Sequence, residues 1–264
     1  FNTVCAGKGT KYLPGYHLST PDTVWKHYEM DSDADGHHDL NPQMFNSFLD
    51  GTKSAIEMAA VSNATGLIPQ TEGLRFPPCK IEDLPNVCRP SADGGQLTHK
   101  GTVEVVSCME RDGKLIDHHL RWGVFIIIEA PSDYVKNCFT EYGLLTDTSG
   151  RYAVMYRPYH LVGLELSVSI LRAGLDGEAT GGPVGFNADV IATAKKNLAA
   201  DEVLDGEGGY CVYGTLKPAD IAVKQSLLPI GLANRVKLIN DVAAGQGVKW
   251  SDIDYDEADP VIRF

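Results

Sequence analysis

The chain has 264 residues, a net charge of −12 and 43% hydrophobic residues, enough core material for one large domain or two ordinary ones. An acidic balance without a basic patch argues against nucleic acid and anionic membrane as partners, and no apolar run reaches membrane-spanning length. The six cysteines (Cys5, Cys79, Cys88, Cys108, Cys138 and Cys211) lack C-x-x-C spacing, which fits reduced thiols in a cytoplasm and predicts no structural zinc.

The opening FNTVCAGKGT reads as a strand running into a glycine turn, so the chain is expected to begin in mid-fold as part of a longer protein. Gly7-Lys8-Gly9-Thr10 lacks the upstream glycine and the Gly-Lys-Ser/Thr order of a phosphate loop. Lys8 and Lys11 are then either solvated turn lysines or groups that meet an anion or a carbonyl. Residues 12–40 look irregular, with a short helix over 21–29. Asp31, Asp33, Asp35 and Gly36 imitate the start of a calcium loop, but Pro42 stands where a bidentate Glu is needed. His37 and His38 beside them read as a solvated loop.

The stretch 41–66, NPQMFNSFLDGTKSAIEMAAVSNATG, reads as one long helix. Asn41 is its N-cap, Pro42 takes the first helical position, and Gly66 closes it. Phe45, Phe48, Leu49, Ile56, Ala59 and Ala60 form an apolar stripe for a core. Asn46, Asp50, Lys53 and Glu57 fall on a second, polar face. That face is either an ordinary solvated one or a functional one. Gly51 favours function, since a mid-helix glycine costs about 1 kcal/mol and suggests a close approach to the backbone.

Residues 67–101 carry Pro69, Pro77, Pro78, Pro85 and Pro90, and such a long irregular stretch often borders a site. A strand is expected over 102–111, an Asp112-Gly113 turn, and an antiparallel return over 114–121. GVFIIIE at 123–129 is the best candidate for a buried strand. His118 and His119 are adjacent on the return, so they would face opposite sides and not share a metal. Ser132 should cap a helix that Gly143 stops, followed by a strand over 151–157 and a helix over 158–177. Within that helix His160, next to Tyr159, is either a core histidine or a substrate-facing acid/base. Glu165 stands five residues later, which is not the four-residue spacing of a metal pair.

Glu178-Ala179-Thr180-Gly181-Gly182-Pro183 marks a linker, after which short apolar segments and tight turns indicate a small β-rich module. Its AKKNLAADEVLDGEGG opening and LPIGLANRVKLINDVAAGQGVKWSDI close resemble a SAF domain, a small β-clip fold. Upstream, AGKGTKYLP, NPQMFNSFLDGTKSAIEMAAVSNATGL and GRYAVMYRPYHLVGLE resemble the SAF-containing, homoserine dehydrogenase-like oxidoreductases, one branch of which is 1-deoxy-xylulose 5-phosphate reductoisomerase-like. The resemblance implies an α+β catalytic domain over 1–177, with a mixed or antiparallel sheet and packed helices, starting at the end of a Rossmann domain. A linker over 178–187 and a SAF-like β-clip domain over 188–264 would follow.

It also implies a cytoplasmic, homo-oligomeric enzyme that uses NAD or NADP on a small polar hydroxy or oxo substrate, a phosphorylated one among the candidates. Lys8 would correspond to the lysine of the family's Val-Thr-Ala-Asn-Lys segment, here Val4-Cys5-Ala6-Gly7-Lys8, and would serve catalysis while Gly7 and Lys8 meet the cofactor. Asp50, Lys53, Glu57 and His160 complete the catalytic candidates, and Lys11, Asn63, Tyr159 and Glu165 the substrate-binding ones. Asp50 and Lys53 have two intervening residues, one fewer than the family's helical Asp–Lys pair. A reductoisomerase-like activity would add a divalent metal near Asp50 or Glu57. The alternative is a non-catalytic binding or assembly module that recognises a carbohydrate or protein partner.

Overall fold

The computed structural model describes residues 1–30 and 40–263. The calcium-like stretch from Asp31 to Gly36 and the pair His37 and His38 lie outside the described residues. In chain order the elements begin with β1 (Asn2–Thr10), α1 (Val24–Tyr28), α2 (Pro42–Leu49), α3 (Thr52–Thr65) and α4 (Leu84–Val87). β2 (Thr102–Ser107), β3 (Val124–Glu129), α5 (Asp133–Glu141), β4 (Leu145–Thr146), β5 (Tyr152–Arg157) and α6 (Val162–Leu171) follow. The last are β6 (Ala188–Ala194), β7 (Val203–Asp205), β8 (Val212–Pro218), α7 (Ala219–Lys224), β9 (Asn234–Leu238), β10 (Ile253–Asp254) and α8 (Pro260–Arg263). Among the described residues no helix is long and apolar enough to cross a membrane.

The residues form two compact units, Phe1–Leu13 with Glu57–Ala188, and Pro14–Ile56 with Asp189–Phe264. The sequence expectation of a continuous domain over 1–177 is thereby revised: residues 14–56 belong with the C-terminal segment. The helix α3 begins in one unit and ends in the other.

The first unit is α+β, with a mixed five-stranded sheet in the order β2-β1-β3-β5-β4. β1 runs parallel to β2 and antiparallel to β3, and β3 and β5 are antiparallel. The apolar run of β3 thus lies between two strands, where Phe125 and Ile127 join Val4, Cys5, Val106, Leu120 and Val154 in the core. On the other face, α5 brings Phe139 onto Ile128 and Ala153. Ser132 caps α5 by accepting from Val135 N at 3.4 Å, and Gly143 follows it at φ 69°, as the sequence predicts.

Two sequence expectations change here. Gly7 and Gly9 are inside β1 and not in a turn. A Cβ at Gly7 would stand 2.0 Å from Glu104 O, and one at Gly9 1.8 Å from Leu120 O, so the glycines let neighbouring chain pack against the strand. The expected return strand over 114–121 reduces to isolated bridges, Met109 to Leu115 and Lys80 to His119.

In the second unit β6 pairs with β8, and β7, β9 and β10 form a three-stranded sheet in the order β10-β9-β7. Ile191, Ala222 and Leu227 make a core cluster here, while Leu216, Leu228, Leu238 and Val248 are also buried. The 41–66 stretch is two helices, α2 and α3, not one. Gly51 takes φ 91°, a left-handed conformation that ends the first helix, and Asp50 Oδ1 accepts from Thr52 N at 2.9 Å to start the second. The outer caps stand as expected: Asn41 accepts from Gln43 N and Met44 N, and Gly66 has φ 79°.

Candidate active site

Lys8 emerges from the sheet on the face opposite Gly7 and Gly9, because neighbouring strand residues alternate. Register places it beside Val105 of β2 and Val124 of β3, so its backbone is held on both sides. Its ammonium donates to Glu57 Oε2 on α3. The two side chains keep 18% and 28% exposure, enough for a small molecule to reach them while much of the surrounding water is gone. Among the described residues Glu57 is the one polar partner of Lys8, which leaves further N–H donors for a ligand.

Lys53 is half-buried on α3, one turn before Glu57, and the helical period puts both on one face of that helix. Asp50 does not hold Lys53, as its sequence position suggests. The break at Gly51 turns Asp50 off the helical repeat, and its Oδ2 accepts from Lys195 Nζ at 2.8 Å instead. The same ammonium donates to Ser19 O at 2.8 Å and Gly209 O at 2.7 Å, so all three of its protons are used. Asn46 extends this buried network through Ser19 and Gly208. Burial pushes the Asp50 carboxyl above its ordinary range, against the pull of Lys195 and Thr52. The half-buried His17 is lowered by burial and then by the charge of Lys195, with Asp50 opposing.

The other sequence candidates separate further. Asn63 is absorbed by the fold: its Oδ1 accepts from Asn187 N at 2.7 Å and Ala188 N at 2.9 Å, and its Nδ2 donates to Ala188 O at 3.1 Å. Lys11 is half-buried after β1, and its charge acts on Cys108, whose thiol burial raises. His160 precedes α6 and does not lie within its first turn; its Nδ1 is 2.6 Å from Glu165 Oε2, and Glu165 also pairs with Arg157 at 2.5 Å. The Arg157 guanidinium in turn lies over the Tyr159 ring, 4.7 Å from its centre. These groups are engaged with one another on an exposed surface. Gly7, expected at a cofactor, is packed against Glu104 O and the Phe125 ring. Among the described residues no three His, Cys, Asp or Glu side chains gather to hold a metal ion.

Three groups escaped the sequence reading. Lys195 ends the apolar run VIATA, and a lysine closing a buried strand is a usable signal for an internal pair. Glu104 interrupts the apolar strand β2, which is a similar signal. It accepts from Arg75 N (3.0 Å), Phe76 N (3.3 Å), Val105 N (2.8 Å) and Gln70 Nε2 (2.8 Å), tying the 67–101 stretch to the sheet. Burial lifts its carboxyl to about 7 against the pull of those backbone donors. The ion pair between Arg89 and the buried Asp147 had no local signal, since its members are distant in sequence.

Comparison with known proteins bears on the stretch of chain that carries the Lys8–Glu57 pair. No curated protein matches the chain. A family model described as oxidoreductase DRL, catalytic domain, matches residues 1–166. That match covers most of the chain, including β1, α3 and the whole five-stranded sheet. The chain belongs to the oxidoreductase DRL catalytic-domain family.

Proposed function

We propose that the chain is the catalytic part of an NAD- or NADP-dependent oxidoreductase acting on a small polar hydroxy or oxo substrate, with Lys8 and Glu57 at the reacting oxygen. The observation that carries this is the partly exposed Lys8 ammonium, fixed by Glu57 and with donors to spare. Reduction of a carbonyl moves the C=O π pair onto oxygen as hydride adds to carbon. The resulting alkoxide is stabilised by a pre-positioned ammonium, most strongly where water is scarce. A proton from Lys8 completes the alcohol, and Glu57 keeps the ammonium aimed throughout. Oxidation runs these events backwards, the lysine then taking the hydroxyl proton. Residues 188–264, with short strands and tight turns, are the SAF-like β-clip module of this reading.

The test follows nicotinamide absorbance in the full-length protein with a panel of small hydroxy and oxo acids and phosphorylated ketoses. Turnover of one member that falls by about 10² in Lys8→Ala is expected for a donor at the oxyanion. Turnover unchanged in Lys8→Ala would overturn the assignment.

A further inference from the structure

β4 is two residues long, and its shortness leaves part of the edge of the five-stranded sheet open. Which backbone groups face outward there follows from the ladder. Gly9 N donates to Gly123 O at 3.0 Å, so these two form a hydrogen-bonded pair and their neighbours Lys8 and Val124 do not. Val124 therefore turns its amide and carbonyl towards Arg157 of β5, and Tyr156 turns its own to the far side. The same alternation accounts for Asp147 N donating to Tyr152 O at 2.9 Å and for Leu145 pairing with Val154. Two residues back from Leu145, Gly143 would stand opposite Tyr156, but the end of α5 claims it. Gly143 N donates to Thr140 O at 3.0 Å, and Leu144 N to Phe139 O at 2.9 Å. Among the described residues the Tyr156 N–H and C=O thus have no strand partner on that side. Pro158, the next outward position, lacks an N–H and closes the ladder.

Beside this edge lies a cavity of about 740 Å³, lined among others by Ile81, Leu145, Val154 and Tyr156. A residue paired with Tyr156 points its side chain to the sheet face that Tyr156 and Val154 share, and both of these line the cavity. The ionisable part of the lining is Glu82 and His118. His118 Nδ1 is 2.7 Å from Glu82 Oε1, whereas Glu82 Oε2 is shielded from water and has no hydrogen-bond partner among the described residues. A carboxylate oxygen in that position lacks a donor. The bond from His118 holds the Glu82 carboxyl below its ordinary range, so it is an anion at neutral pH. Aliphatic walls, a phenol ring and one anion suit a side chain with an apolar stem and a cationic head.

We propose that the open edge of β5 binds an extended peptide of a partner protein, one lysine or arginine of which pairs with the Tyr156 backbone and reaches Glu82. Such a residue matches three features at once. Its backbone exchanges two hydrogen bonds with Tyr156, its stem covers Ile81 and the Tyr156 ring, and its head supplies the donor that Glu82 Oε2 lacks. A free amine would meet only the last two, and an uncharged strand residue only the first two.

Fluorescence anisotropy of a labelled, capped pentapeptide Val-Thr-Lys-Thr-Val with the full-length protein should show saturable binding. Norleucine in place of the central lysine should weaken binding about tenfold or more, the loss of a charged hydrogen bond. N-methylation of that lysine's backbone, which removes the donor to Tyr156 O, should weaken it in the same direction on the unaltered protein. Glu82→Gln should weaken the lysine peptide and not the norleucine one. Amide exchange over 154–157 should slow when the lysine peptide is bound. n-Hexylamine at the peptide's own concentration should not displace it. Absence of saturable binding up to millimolar peptide, equal binding of the lysine and norleucine peptides, tolerance of N-methylation, or displacement by hexylamine would each overturn the proposal.

Discussion

The two units each contain a lysine–carboxylate pair, and the pairs differ in every respect that matters physically. Lys195 and Asp50 are 3% and 0% exposed, and the ammonium spends its three protons on Asp50, Ser19 O and Gly209 O. Lys8 and Glu57 sit at the surface of their sheet and helix, and Lys8 keeps donors in reserve. The chemistry of the side chains is identical, so residue type alone separates nothing. What separates a structural lysine from a reactive one is how many of its protons the fold has already used. A fully satisfied ammonium can offer a substrate nothing without first breaking a buried bond.

Removing Lys195 should give the largest effect. Lys195→Met leaves Asp50 charged and unpaired in the interior, a loss of about 3–5 kcal/mol. The denaturant midpoint of the purified variant reads this directly. Adding Asp50→Asn should restore part of the loss, because the stranded charge goes with it. A Lys195→Met protein as stable as wild type would erase the contrast between the two pairs.

Lys8→Ala tests the other side of the contrast. Turnover should fall by about 10² while the unfolding midpoint shifts by less than about 1 kcal/mol, since a partly exposed pair contributes little to stability. Glu57→Gln should lower turnover less, because Lys8 keeps its charge and loses only its anchor. A stability loss in Lys8→Ala as large as that in Lys195→Met would make Lys8 a second structural lysine.

The sequence shows Lys8 but not Lys195, and the reason is the range of the interactions. Ser132, Gly143, Asn41 and Gly66 act within a turn or two of chain, so the ends of α5, α2 and α3 are legible from local chemistry. The break at Gly51 is not. By propensity a glycine costs a helix about 1 kcal/mol, too little to end it. Asp50 is drawn inward by a lysine 145 residues away, and no window on the sequence contains both partners. Likewise Gly7 and Gly9 look like a turn, but the carbonyls of Glu104 and Leu120 that require them come from distant chain. The regrouping of residues 14–56 with Asp189–Phe264 is hidden for the same reason.

Glu104 offers a buried carboxylate held chiefly by backbone donors to compare with Asp50. Its folded-state value is raised to about 7, above that of an unfolded carboxyl. The native state therefore binds the extra proton, and Glu104 contributes stability at acid pH that is lost as pH rises through about 7. Unfolding free energy should fall by on the order of 2–3 kcal/mol between pH about 4.5 and 7.5 from this group. Glu104→Gln should flatten that slope. It should also cost about 1–3 kcal/mol at acid pH, since one amide oxygen cannot accept from all four donors. A slope unchanged in the variant would assign the pH dependence to other groups.

The smallest effect is expected at His160, where a histidine–carboxylate pair lies in the open. His160 is 46% exposed on its side chain, and Glu165 retains Arg157 as a partner when the imidazole is gone. An exposed pair of this kind contributes about 0–1 kcal/mol, and the remaining guanidinium screens the loss further. His160→Ala should thus shift the unfolding midpoint by less than about 0.5 kcal/mol, within the range of ordinary surface substitutions. Turnover should stay within about twofold of wild type, because an acid/base group at the reacting oxygen contributes at least about 10². The contrast with Lys8→Ala is then one of function between two pairs open to solvent to different degrees, as the contrast with Lys195→Met is one of burial. A 10²-fold loss of turnover in His160→Ala, with the midpoint unmoved, would bring His160 into the site beside Lys8 and Glu57.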